Sequence, residues 1–245
     1  MIKRTVRERP ILFSGEMVQA ILKGRKTQTR RVVTKVAGFS EWAIIDKTIV
    51  DTQAMLSRHR NAAFVNSRHC PYGTLGDRLW VRESIRLTLQ DVFYMADGQS
   101  IRLEDLRPEQ ASWLSHYGPA GRQELTIPSI HMPWWASRIT LEVTGVRVER
   151  VQDITKADAI AEGIDWSEAF PEGYTVGATR DPSGMMVGGD YALRAYSATQ
   201  SFARLWDSLN ATRGYGWDVN PWVWVVEFRQ IQPGQQRLPE QKGEG

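Results

Sequence analysis

The residues most able to do chemistry lie together at Arg25–Arg31, RKTQTRR. Four of the seven are cations (Arg25, Lys26, Arg30, Arg31), and Thr27 and Thr29 add two hydroxyls. A threonine hydroxyl attacks an amide only when a base takes its proton. Lysine serves as that base only when neutral, and its reference pKa is about 10.4. Neighbouring cations and burial both lower that value, and a nearby carboxylate raises it. The same cations could equally meet phosphate, with the hydroxyls on base edges. A solvated charge run is the plain alternative.

The preceding residues fix where this stretch starts. Ser14 is a good N-cap, and Glu16 suits the first turn of a helix. Met17, Val18, Ile21 and Leu22 share one face of that helix, and Gly24 can end it in the left-handed region. Ile11–Phe13 reads as a short buried strand, and residues 1–10 as a flexible basic lead-in. In a regular strand Lys26 and Thr29 point to opposite sides. A shared site therefore requires the chain to bend between Gly24 and Gln28.

A second informative stretch is Cys70–Ser84, CPYGTLGDRLWVRES. Its turn residues lead into a strand with Arg78, Trp80 and Arg82 on one face and Leu79, Val81 and Glu83 on the other. That first face is cationic and aromatic, although Trp80 and Arg82 also suit core and rim. Trp134 and Trp135 fit a core and a stacking platform equally.

The other elements follow from pattern. Trp42–Ile45 and Thr48–Val50 suggest a hairpin across Asp46–Lys47, and residues 57–69 suggest loop. Phe93–Met95 reads as a strand, Leu103–His116 as a helix and Arg138–Val143 as a half-buried strand. Gly145 suggests a turn into a further strand at Val146, Val148 and Val151. Asp153 or Thr155 caps a helix ending at Glu162–Gly163. Gln200–Leu209 reads as an amphipathic helix and Pro221–Ile231 as a central strand. Residues 85–128 and 165–198 read as insertions, the second a long loop or lid. Residues 232–245 have a disordered composition.

Composition sets the bounds. The chain has 245 residues and a net charge of +3. Residues 1–35 hold ten cations against two anions, net +8, so residues 36–245 sum to −5. A basic head on a mildly acidic body suggests an anionic partner such as nucleic acid or a nucleotide. Apolar runs are too short for a membrane helix, and the N-terminus lacks the apolar core of a secretory signal. These features, with a single cysteine, fit a cytoplasmic protein without disulfides. His59, His69 and Cys70 lack metal-ligand spacing, so neither metal nor cofactor is expected.

Taken in order, the motifs carry a resemblance. They are GRKTQTRR at Gly24–Arg31, the GD-R-LWVRE strand at Gly76–Glu83, and the I-LEVT strand at Ile139–Thr144. An AEG helix end follows at Ala161–Gly163, then LWDSLN at Leu205–Asn210 and WVVEF at Trp224–Phe228. The series resembles the ASCH domain of the PUA-like superfamily, in the larger version carried by phages and prophages. It covers roughly residues 10–232, with the two insertions set into one domain spanning 11–231. The resemblance implies an α+β fold, a small bent β-barrel with helices at its openings and a cleft between them. Relatives bind RNA or modified nucleobases, and one branch hydrolyses the acetyl amide of N4-acetylcytidine. Matched motif by motif, that branch implies Lys26 as proton acceptor, Thr29 as nucleophile and Glu162 as proton donor. Arg25, Thr27, Arg30, Arg31 and Arg82 would then meet substrate or nucleic acid, and Trp80 or Trp135 would stack on a base. RNA, DNA or a modified nucleoside is the expected partner. A regulatory or counter-defence binding module without chemistry, and a metal-independent ribonuclease, are the alternatives.

Overall fold

A computed structural model describes residues 5–34, 70–108, 110, 112, 124–164 and 197–231, together with the backbone of 42–45, 48–51, 64–65, 179–180 and 186–187. The chain is a β-rich α+β protein. Its strands are β1 (Glu8–Leu12), β2 (Gln28–Val32), β3 (Trp42–Ile45), β4 (Thr48–Asp51), β5 (Phe64–Val65), β6 (Arg78–Arg82) and β7 (Ile85–Thr88). Further along come β8 (Asp91–Tyr94), β9 (Ser100–Arg102), β10 (Glu124–Ile127), β11 (Thr140–Arg150), β12 (Thr179–Arg180), β13 (Met186–Val187) and β14 (Trp222–Gln230). Three α-helices are described: α1 (Gly15–Leu22), α2 (Lys156–Ala161) and α3 (Ala198–Asn210). Contacts divide the chain into two compact units, one of residues 1–24, 35–147 and 226–245, the other of residues 25–34 and 148–225. No described helix is long and apolar enough to cross a membrane.

In the first unit the main sheet runs β1-β6-β11-β14, with β1 at its edge and parallel to β6. β1 begins at Glu8, where the sequence suggested Ile11, because Glu8–Pro10 pair with Arg78–Trp80. Pro10 is tolerated there because an edge strand has one side free of ladder bonds. The expected alternation of β6 holds, with Leu79 and Val81 buried between half-exposed Arg78, Trp80 and Arg82. Helix α1 is capped by the Ser14 hydroxyl, which accepts from the Met17 N–H at 3.4 Å. Its inward face is Val18, Ala20 and Ile21, whereas Leu22 is 39 % exposed.

Residues 85–127 contain a sheet of their own, ordered β10-β7-β8-β9. It closes over Ile85, Leu87, Val92, Tyr94, Ile127, Met132 and Ala136, a continuous apolar cluster. Within the helix expected over Leu103–His116, Leu103–Asp105 forms a 3-10 turn, and Pro108, Gln110 and Ser112 have the expected helical backbone. Residues 113–116 lie outside the described part. The hairpin expectation agrees with β3 and β4, which pair antiparallel with Ile45 opposite Thr48.

The turn expected at Gly145 is not there: β11 continues through it to Arg150. The glycine serves close approach instead. A Cβ at Gly145 would collide with the Glu227 side chain, which is held by Arg147.

In the second unit the sheet runs β11-β14-β2, and β12 pairs with β13. Helix α3 buries Ala198, Phe202 and Trp206 against Val151, Ile154, Ala159, Val223 and Val225. Strands β11 and β14 each supply residues to both units. Among the described residues the sheets are open, and no closed barrel is formed. Most of the expected lid, residues 165–198, and all of the tail, 232–245, lie outside the described part.

Candidate functional site

The site is built by two turns of chain that end elements. Gly24, at φ +71°, releases the chain from α1 in a conformation that other residues adopt at a cost. The next residues run beside the end of α2: the Thr27 N–H donates to Ala161 O at 2.8 Å, and Lys26 and Glu162 form an isolated antiparallel bridge. Helix α2 starts at Thr155, the second of the two expected caps. Thr155 Oγ1 accepts from the Asp158 N–H, while the Asp158 carboxylate accepts from Thr155. It ends at Glu162, followed by Gly163 at φ +94°.

Lys26 and Glu162 are thus brought into contact across 136 residues of chain. Lys26 Nζ donates to the Glu162 carbonyl at 2.7 Å and to its carboxylate at 2.8 Å. Arg30 Nη1 donates to the other oxygen of the same carboxylate at 3.2 Å. Arg30 Nη2 bonds to Glu149 and lies 3.6 Å from Asp158, while Phe202 stacks under the guanidinium at 5.7 Å. Gln28 Nε2 completes the set, donating to the Asp158 carbonyl and carboxylate at 3.0 Å each. Lys26, Gln28, Arg30, Glu149 and Glu162 are all buried.

The electrostatics follow from that enclosure. A carboxylate at a helix C-terminus opposes the helix dipole, and here two cations offset the conflict. Burial lowers the Lys26 pKa from that of a free lysine; Glu162 raises it, and Arg31 and Arg30 lower it again, leaving a net decrease. The ammonium is therefore easier to deprotonate than an exposed one. Asp158 moves down to about 2: burial raises it, but hydrogen bonds from Thr155 and Gln28 and the charge of Arg30 outweigh that. The arrangement can hold a proton between a weakened ammonium and a carboxylate.

Alternation along β2 sorts the remaining candidates. Gln28 and Arg30 both turn toward α2, so Thr29 between them turns to the reverse face. Thr29 is 3 % exposed. Arg31 is half-buried and shares the Thr29 parity. Arg25 is half-buried, with Nη1 3.4 Å from the Gly163 carbonyl, and Thr27 is exposed. The structure thus joins Lys26, Glu162 and Arg30 directly.

Trp80, Arg82 and Trp135 belong to the first unit. Arg82 lies over the Trp80 ring at 5.0 Å and donates to the Met132 carbonyl at 3.0 Å. Trp135, in a 3-10 turn, packs half-buried against the Ile85–Tyr94 cluster.

Three members of the buried network escaped sequence reasoning: Gln28, Glu149 and Asp158. Asp158 had a local signal, because Thr155 followed three residues later by an acid is a capping box. Glu149 had only its place opposite the Val146–Val148 parity. Among the described residues no group of three or more His, Cys, Asp or Glu gathers to hold a metal. Compared with family models, with curated proteins and with solved structures, the chain finds no match in any of the three.

Proposed function

We propose that this chain is an ASCH-type, PUA-like protein that binds a modified nucleobase and hydrolyses an amide on it. In this reading β2 turns Thr29 from its reverse-facing position toward α2, neutral Lys26 takes the proton of Thr29 Oγ1, and that oxygen attacks the acyl carbon. Glu162 returns a proton to the departing amine of the base, and water then releases the acyl group from Thr29. The observation that carries the reading is the buried Lys26–Glu162 contact with its lowered lysine pKa. Perturbed titrating groups of this kind concentrate where proton transfer is used. Arg25, Thr27 and Arg31 are the candidates to meet the substrate from the same stretch.

A second reading, a nucleic-acid-binding module without chemistry, is favoured by the reverse-facing Thr29. There the Lys26–Glu162 pair fastens β2 to the end of α2 and nothing more. Turnover of N4-acetylcytidine separates the two. The hydrolase releases cytidine, and Thr29→Val abolishes release while the nucleoside still binds. Binding by wild type without any release favours the module.

A further inference from the structure

Glu162 closes α2, and its carboxylate is gripped from two directions. Lys26 Nζ donates to Oε2 at 2.8 Å, and Arg30 Nη1 donates to Oε1 at 3.2 Å. The same Nζ donates to the Glu162 carbonyl at 2.7 Å, which ties the ammonium to the backbone of the residue it faces. A carboxylate held at one oxygen can turn and present either of the two, since both accept hydrogen bonds. Held at both by different cations, it cannot exchange them.

Arg30 is itself held. Its Nη2 bonds to Glu149 of β11 and lies 3.6 Å from Asp158 of α2, while Phe202 of α3 lies 5.7 Å under the guanidinium. The side chain is fully enclosed. Its Nε has no hydrogen-bond partner among the described residues, so the two Nη groups set its orientation. A cation buried among carboxylates is weak support for stability, because apolar residues of similar volume often do as well. What a guanidinium adds is direction, since its donors leave in a rigid planar fork.

We infer that Arg30, braced by Glu149, is the positioning residue that commits Glu162 Oε1 and so leaves Oε2 to exchange a proton with Lys26 Nζ. The step balances within the pair. An Nζ–H bond breaks, an Oε2–H bond forms, and ammonium and carboxylate become amine and carboxylic acid. Oε1 stays a carbonyl oxygen and goes on accepting from Arg30. One proton shift thereby readies Lys26 as base and Glu162 as acid together. The charge of Arg30 alone would hold Glu162 as carboxylate. Glu149 and Asp158, at the other end of the guanidinium, offset that charge. The use of this step in hydrolysis rests on the reading above; the placement of Glu162 by Arg30 does not.

The test is the magnetic coupling across the hydrogen bond from Lys26 Nζ to the Glu162 carboxyl carbon, measured by nuclear magnetic resonance on the labelled full chain, beside turnover of N4-acetylcytidine. Lys26→Met and Glu162→Gln assign the two signals. Arg30→Lys keeps the charge and loses the fork. In that variant, folded as judged by its backbone amide spectrum, the coupling should vanish. Its kcat should fall about 100-fold with KM unchanged, the cost of a small misplacement of a reacting group. Glu149→Gln is a milder change that should weaken the coupling, and it decides the question if Arg30→Lys does not fold. A coupling of wild-type size in either folded variant would overturn the inference and leave the hydrolase reading intact. If the coupling is present in wild type and lost in Arg30→Lys, but wild type releases no cytidine, the placement stands and the hydrolase reading fails.

Discussion

The enclosure of Lys26 has a measurable sign. Its pKa is lowered in the fold, burial being the largest cause, from an ordinary value of 10.5. Between the folded and unfolded values the unfolded chain binds the extra proton, so this group makes stability rise with pH over that window. Tyr94 and Cys70 act oppositely: burial holds both up to about 12, so their contributions are present at neutral pH and fade in strong alkali. Comparing wild type with Lys26→Met isolates the lysine. The stability difference, from urea unfolding at pH 7 to 10, should move in favour of wild type as pH rises. A gap that stays constant would mean that Lys26 has an ordinary pKa. Glu162→Gln is expected to cost more, about 3–5 kcal/mol, because it leaves Lys26 and Arg30 enclosed with a lost counter-charge.

The element that presents Glu162 is weak by itself. Helix α2 has six residues, well short of what is stable alone, so its caps and its partners hold it. Thr155→Ala should cost about 1 kcal/mol by removing the N-cap. Asp158→Asn should act at acid pH. With its pKa lowered to about 2, the Asp158 carboxylate contributes stability above the unfolded value near 4, lost as pH falls toward 2. Acid titration followed by circular dichroism should therefore find the variant less sensitive than wild type over that range; equal slopes would refute the assignment. Elements such as α1, β6, α2 and β14 were legible in the sequence because their signals are local: a cap, an alternation, a stopping glycine. Gly145 misled because the same residue marks a turn or a close contact, and only Glu227, far along the chain, decides which. The site was half legible. Lys26 and Glu162 stood out by motif, whereas the meeting of Glu149 with Arg30 depends on the order of strands in the sheet, which no short stretch encodes.

At the scale of the molecule, two apolar clusters lie in two compact units, one around Leu87 and one around Phe202. Strands β11 and β14 are continuous through both. Leu87→Ala and Phe202→Ala should each cost about 2–5 kcal/mol in urea unfolding, because each leaves a cavity in the cluster of its own unit. A variant as stable as wild type would mean that its cluster closes around the gap. The charge balance also changes with folding. Among the cations that make residues 1–35 so basic, Lys26 and Arg30 are matched internally by Glu162, Glu149 and Asp158.

That internal matching has a consequence in time. Lys26 leaves the ribosome 136 residues ahead of the carboxylate that will enclose it. At roughly 5–20 residues per second the interval is about 7 to 27 seconds. Throughout it Arg25–Arg31 is an uncompensated basic segment on a nascent chain, in reach of every polyanion in the surroundings. Completion of β11 and α2 withdraws two of its charges at once, so the segment reaches its folded charge only when the far end of the site has been made.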